Sequence, residues 1–283
     1  MTSSSEPRGR QTGEDATSEG ATSQGATSVV VTGGARGIGR GIAERMVARG
    51  HAVLVTDIDG EAAARTAGEI DAAAGLAHDV RDEAAHHAVA EAATGHGRLV
   101  AWFNNAGVGH DGTLAELDSA AVERLVDVNL KGVLWGSRAA LAAFGPAGGD
   151  IVNTASLSGL GPVPGLSTYA ATKAAVVSLT MSLDAETPAG VRVHALCPDG
   201  VDTEMVREMK DTGLAKALVH SGGRMLTVDE VADAAVALVG STRVVRTVPG
   251  WRGGIMRVTA LAPHWAAKGV DFFAAQGRRA LDR

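Results

Sequence analysis

The chain has 283 residues, 45% of them apolar, and a formal net charge of −6, so its surface speaks against a nucleic-acid footprint. No apolar run approaches the ~18 residues that a membrane span needs. A single cysteine, Cys197, leaves no internal disulfide and suits a reducing, cytoplasmic compartment, while length alone suggests roughly one to two domains.

Residues 1–28 are Ser, Thr, Gly, Ala and acid, and "ATSEGATSQGATS" reads as a short imperfect repeat. Such a segment buries too little apolar surface to offset its ordering entropy and is expected to be a disordered tail. It has no apolar core of a secretory signal, and Glu6, Glu14, Asp15 and Glu19 oppose a transit peptide. A solvated tail is the reading, with a regulatory or targeting role as the alternative.

From Val29 onward short apolar runs alternate with longer Ala-rich stretches. The runs are "VVVT" (29–32), "AVLVT" (52–56), "GLAH" (75–78), "LVAWF" (99–103), "DIVNT" (150–154), "VRVHAL" (191–196) and "RVVRTV" (243–248). Continuously apolar strands separated by helices fit a parallel sheet buried on both faces. A helix carrying Ile38, Ile42 and Met46 on one face and closed by Gly50 joins the first two. Residues 29–283 are therefore expected to form a single Rossmann-like, doubly wound α/β domain. Its sheet is mostly parallel and seven-stranded, and ligands sit at the carboxyl ends of the strands.

The first strand leads into "TGGARGIG", with Gly33, Gly37 and Gly39 spaced T-G-x-x-x-G-x-G. Residues without Cβ allow a tight turn and close backbone approach to a pyrophosphate at a helix N terminus, where Arg36 and Ile38 also lie. The second strand ends at Asp57, whose carboxylate can accept hydrogen bonds from adenosine ribose hydroxyls and would repel a 2′-phosphate. NAD is favoured over NADP on this ground. Arg36 is the counter-argument, and Asp59 reads as a solvated loop acid.

The glycine spacing, "NNAG" at 104–107, "VNLKG" at 128–132, Ser156 and "YAATK" at 169–173 together resemble the short-chain dehydrogenase/reductase family over about residues 29–203. Tyr169 and Lys173 stand one helical turn apart on one face. A free tyrosine titrates near pH 10, and a neighbouring ammonium is expected to lower that value into the working range of an acid–base group. The resemblance implies that Lys173 also bonds the nicotinamide ribose, that Ser156 holds the substrate oxygen, and that Asn129 anchors a water serving the lysine. It implies further that Asp79 and Val80 flank the adenine and that Asn105, Ala106 and Gly107 pass the adenosine ribose. Pro198, Val201 and Thr203 match a segment whose threonine bonds the carboxamide, and Asn104 matches a residue that bonds across the sheet.

Two regions depart from the family. "PDGVDT" (198–203) has Asp199 where glycine is expected, leaving open a carboxylate that acts on the nicotinamide or one that faces solvent. Residues 250–283 read as two amphipathic helices broken near Pro263, with Trp251, Trp265, Phe272 and Phe273 covering a substrate pocket or a subunit interface. Peripheral membrane contact through Arg252, Arg257, Lys268, Arg278 and Arg279 is a less favoured reading. Residues 202–227, with Met205, Met209, Leu214, Leu218 and Met225, form the expected substrate lid, as core packing or as an apolar lining. The histidines show no metal-ligand spacing, no metal is needed, and Cys197 reads as a small buried residue. The whole points to an NAD-dependent oxidoreductase interconverting a secondary alcohol and a ketone on an apolar or cyclic molecule, as a homodimer or homotetramer. An NADPH-dependent reductase of 3-oxoacyl thioesters is the nearest alternative. A non-catalytic coenzyme-binding regulator is another, against which the retained Ser156, Tyr169 and Lys173 argue.

Overall fold

The computed structural model describes Met1, residues 25–110, 112–209 and 213–261, and the backbone of 263–281 with side chains from Phe272 to Leu281. The expected tail over 2–24 and the side chains of Trp265 and Lys268 lie outside the described residues. The seven apolar runs form strands β1 (Thr27–Thr32), β2 (Ala52–Asp57), β3 (Ala74–Ala77), β4 (Arg98–Asn104), β5 (Gly149–Thr154), β6 (Val191–Pro198) and β7 (Val245–Val248). Every pairing is parallel, in the order β3-β2-β1-β4-β5-β6-β7. Helices α1 (Gly37–Ala48), α2 (Gly60–Glu69), α3 (Glu83–Gly95), α4 (Ser119–Val126), α5 (Gly132–Ala143) and α6 (Ser167–Glu186) join the first six strands. Short α7 (Glu204–Arg207) and α8 (Leu214–Val219) precede α9 (Val228–Val236), and α10 (Gly250–Leu261) and α11 (Pro263–Leu281) follow β7.

Alternation along the strands explains why they read as unbroken apolar runs. Val29 and Val31 pack on one face with Ile42 and Met46 of α1 and Val231 of α9, whereas Val30 packs on the other with Val89 of α3 and Ala139 of α5. Both directions are buried, so neither can be polar. The expected α1 face holds, with Ile42 and Met46 fully buried and Ile38 packed at its edge, and Gly50 closes the helix at φ +85°. β1 begins two residues before Val29, inside the segment expected as tail. Ser28 is buried there because its hydroxyl reaches Gly97 O at 3.1 Å, and Thr27 Oγ1 lies 2.7 Å from His51 Nδ1. Asp59 is no idle loop acid: its Oδ1 accepts the Ala62 amide at 2.9 Å and caps α2.

The two helices expected after β7 are present. α11 lies so close to α8 that a Cβ on Gly277 would stand 1.7 Å from Ala217 O. Among the described residues no helix is long and apolar enough to cross a membrane.

At the amino ends of β5 and β6, away from the ligand edge, Asp150 is buried among three partners. Arg192 donates to its two oxygens at 2.8 and 2.7 Å, His194 Nε2 lies 2.9 Å away, and Gly240 N donates at 3.1 Å. Burial alone would raise this carboxyl, but the bonds from His194, Arg192 and Gly240 outweigh it and hold the group below its ordinary value. A depressed folded value means that the stabilisation is present above the unfolded carboxyl value and is lost as pH falls through the folded one. Asp150→Asn should cost about 1–3 kcal/mol at neutral pH and should flatten the loss of stability below about pH 4. Urea titrations at pH 7 and at acid pH check both.

Candidate active site

The carboxyl ends of β1, β2, β4, β5 and β6 open on one cavity of about 1180 Å3, above the roughly 300–1000 Å3 of a pocket for one small ligand. Every residue expected at the site lines it except Gly39 and Asn129, which lie just behind the wall.

At one end is the glycine turn. Gly33 and Gly37 take φ of +60° and +54°, a region that disfavours side chains. A Cβ on Gly39 would stand 2.0 Å from Gly33 O, so the loop closes only with glycine there, whereas one on Gly37 would project into open space with Thr203 Cγ2 its nearest neighbour at 3.9 Å. No side chain caps the N terminus of α1, which begins at Gly37. Asp57 ends β2, with its Oδ2 accepting the Ala35 amide and its Oδ1 the Asp59 amide, both at 3.3 Å. Arg36 is exposed and forms an ion pair with Glu204 of α7. Val80 is buried at the cavity wall, and Asp79 faces the cavity with its carboxylate held by Arg81 at 2.6 Å, which lowers its titration.

Asn104 and Asn105 do different work. Asn104 Nδ2 bonds Asn153 Oδ1 across β4 and β5 at 2.9 Å, as the sequence suggests. Asn105 Nδ2 reaches Thr32 O and Gly33 O, both at 3.2 Å, and Thr154 Oγ1 donates to its Oδ1 at 3.3 Å. Its side chain therefore braces the glycine loop.

At the other end, β5 delivers Ser156, whose Oγ accepts the Ser158 amide at 3.2 Å at the head of a tight helical turn over Leu157–Leu160. Tyr169 and Lys173 come from the first turns of α6. Lys173 is buried and donates to Thr154 O at 2.8 Å, with its Nζ 5.7 Å from the centre of the Tyr169 ring. Asn129 sits in a π-helical turn (Asp127–Lys131) between α4 and α5, where its amide brackets Val108 by accepting N–H at 2.8 Å and donating to O at 2.9 Å. A Cβ on Gly107 would lie 3.3 Å from Asn129 Oδ1 and 3.5 Å from Lys173 Nζ, so Asn129, the Gly107 turn and Lys173 form one packed group.

The expected lowering of Tyr169 is not found in the chain alone. Burial raises the phenol above its ordinary value, and the nearby Ser156 hydroxyl opposes this only in part. Lys173 itself is lowered to about 8 by burial. Cys197 is buried and pushed up to about 12, which makes it an inert packing residue.

The substrate side corrects several expectations. Asp199 does not face solvent. It is paired with Arg252 Nε at 2.6 Å, both side chains being nearly buried, and burial raises it while Arg252 pulls it back. Among the described non-glycine residues only Asp71 has a positive φ, so aspartate in place of glycine at 199 is unstrained. Met205, Met209 and Leu218 line the cavity; Leu214 is exposed and Met225 does not reach it. Phe273 reaches the cavity, but Trp251 and Phe272 are 58% and 68% exposed, because each helix has only one inward face. Arg252 turns inward and is no part of a basic outer surface.

Comparison with known proteins matches residues 27–214 to the family described as short chain dehydrogenase. The chain belongs to the short-chain dehydrogenase/reductase family. It is 40% identical over 223 residues to the 4-formylbenzenesulfonate dehydrogenase TsaC1/TsaC2 of Comamonas testosteroni, covering 74% of this chain and 88% of that one. It is 38% identical over 228 residues to 3beta-hydroxysteroid dehydrogenase 2 of Eggerthella lenta, covering 74% and 86%. A solved short-chain dehydrogenase/reductase from Burkholderia phymatum, in complex with NAD, superposes with a TM-score of 0.75 at 29% identity, over 82% of this chain and 92% of that one. As a member of this family the chain is an oxidoreductase.

Sequence reasoning missed His78 and Glu204, and it expected Trp251 where Arg252, Met256 and Thr259 form the cavity-facing side of α10. His78 is buried at the cavity edge, 3.0 Å from Thr56 Oγ1, and lowered to about 3 by burial and by His86. The α10 face had a signal, since Arg252, Met256 and Thr259 recur at helical spacing and all line the cavity. Glu204 had none, because its partner Arg36 lies 168 positions away.

The two glycines should separate folding from binding. Gly37→Ala should cost about 1 kcal/mol of stability through its positive φ while placing a methyl in the cavity. Gly39→Ala should cost several-fold more, since a carbonyl must move. Thermal melts of both variants check the order.

Proposed function

We propose that the chain is an NAD-linked dehydrogenase that interconverts a secondary alcohol and a ketone on an apolar, ring-bearing substrate. The observation that carries this reading is the meeting of Ser156, Tyr169 and Lys173 with the glycine turn and Asp57 around one cavity. The residues suit a nicotinamide dinucleotide: the open Gly37 is a cradle that a Cβ would fill, and the uncapped N terminus of α1 offers amides to a pyrophosphate. Gly33, Gly37 and Ile38 would hold the phosphates, Asp57 the adenosine ribose, Asp79 and Val80 the adenine, and Val201 and Thr203 the carboxamide.

When bound, the coenzyme supplies the hydride acceptor or donor, so that alcohol + NAD+ ⇌ ketone + NADH + H+ balances. The chain itself handles the proton. Ser156 holds the substrate oxygen beside the phenol, and Tyr169 takes the hydroxyl proton in oxidation and returns it in reduction. Burial opposes the phenolate; Lys173, fixed by Thr154 O, is the cation placed to favour it. Asn129 positions the Gly107–Val108 turn against that lysine, and its π-helical turn is where a proton-relaying water would be anchored.

The coenzyme preference rests on two side chains. Asp57 repels a 2′-phosphate, and Arg36, which would otherwise attract one, is engaged by Glu204. The apolar preference rests on Met205, Met209, Leu218, Met256 and Phe273 in the wall, and the hydroxysteroid named for one relative points the same way, while the compounds named for both relatives carry rings. A cytoplasmic homodimer or homotetramer completes the reading, consistent with one buried free cysteine.

Calorimetric titration should show NADH binding at least about tenfold more tightly than NADPH, and Asp57→Ala should erase most of that difference. Tighter NADPH binding would assign the decisive role to Arg36. Tyr169→Phe should cut turnover by about 10²–10⁴-fold with coenzyme affinity within a few-fold; full residual activity would discard Tyr169 as the acid–base group.

A further inference from the structure

Arg252 makes several side-chain contacts at the substrate end. It belongs to α10, is 9% exposed, and joins four pieces of the fold. Its Nε meets Asp199 Oδ2 at 2.6 Å, and its Nη2 lies 3.4 Å from Asp199 Oδ1 and 3.1 Å from Ser221 Oγ. Ser221 Oγ in turn donates to Leu218 O at 2.6 Å. The guanidinium carbon sits 5.7 Å from the Trp251 ring and 5.8 Å from that of Phe273 on α11. One charge thus ties the segment after β6, the turn after α8, and both C-terminal helices.

Asp199 begins the stretch that leads to Val201 and Thr203. Its amide donates to Val248 O of β7 at 2.8 Å, and the stretch is gripped again where Leu226 N donates to Gly200 O at 2.8 Å and Asp202 N donates to Leu226 O at 2.9 Å. The backbone is therefore fixed at both ends, and the Asp199 carboxylate is the handle by which side chains outside the coenzyme half act on it. A nearly buried carboxylate left without its cation would have to seek water, dragging this stretch with it.

We propose that Arg252 is a positioning residue for the nicotinamide end of the coenzyme site: through Asp199 it sets the Pro198–Thr203 segment, so that the C-terminal helices contribute to coenzyme binding without touching the adenosine half. This inference rests on the coenzyme reading above. It assigns the aspartate at 199 a partner that a glycine there could not have.

The test titrates the full chain with NADH and with ADP-ribose, which lacks the nicotinamide. The parent should bind both. Arg252→Met should weaken NADH by roughly tenfold while leaving ADP-ribose within about threefold, and Arg252→Lys, which keeps the charge but not the fork, should fall between. In an Asp199→Gly background, Arg252→Met should shift the NADH to ADP-ribose ratio by less than about twofold, because the two residues act as one unit. An unchanged ratio in Arg252→Met, an equal loss of both ligands, or simple additivity of the two substitutions would overturn the inference. A parent that binds neither ligand would overturn the coenzyme reading itself, which keeps the two failures apart.

Discussion

Parallel strands covered on both faces end together at one edge, and the peptide groups past the last rung of the ladder need partners there. In this chain Thr32, Asn105 and Thr154 supply them. Thr32 Oγ1 accepts the amides of Asn105 and Ala106, both at 3.0 Å, while the Asn105 side chain bonds Thr32 O, Gly33 O and Thr154 Oγ1. The ends of β1, β4 and β5 are thereby locked to one another. The glycine turn leaves this bracket on one side, and Ser156 leaves it on the other. Even Lys173 is oriented from it, since its ammonium is held by the carbonyl of the same Thr154.

The opposite edge of the sheet is held by different means. Around Asp150 a buried carboxylate gathers Arg192, His194 and the Gly240 amide, fastening β5 and β6 to the loop that leads into β7. Hydrogen bonds between neutral groups join the ends of β1, β4 and β5 at the ligand edge, and a charge cluster fixes the far one. The chemistry can therefore operate at one edge without sharing ionisable groups with the device that stabilises the other.

Much of this was legible in the sequence, for identifiable reasons. Two-sided burial makes a central strand a nearly continuous apolar run, while the half-buried edge strands β3 and β7 carry shorter or charge-broken ones, and the helical spacing of Tyr169 and Lys173 placed both on one face. Features set by distant partners were not readable. The Ser28 hydroxyl enters the sheet because Gly97 O awaits it, 69 positions on. Asp199 could be read as solvated until Arg252, 53 positions later, was seen to bury it. The state of the Tyr169 phenol, half-buried in the cavity wall, depends on what surrounds it in space, which spacing does not express. Asp59 lies between these cases: its place before an Ala-rich run is itself a capping signal.

The close approach of α11 to α8 at Gly277 divides responsibilities within the chain. The strands and the glycine turn line one end of the cavity, whereas α10 and α11 shape its far wall through Arg252, Met256 and Phe273. A wall supplied by helices beyond the last strand can be remodelled while Ser156, Tyr169 and Lys173, which come from the end of β5 and from α6, stay in place. In such a layout the repertoire of accepted molecules can evolve faster than the reaction performed on them.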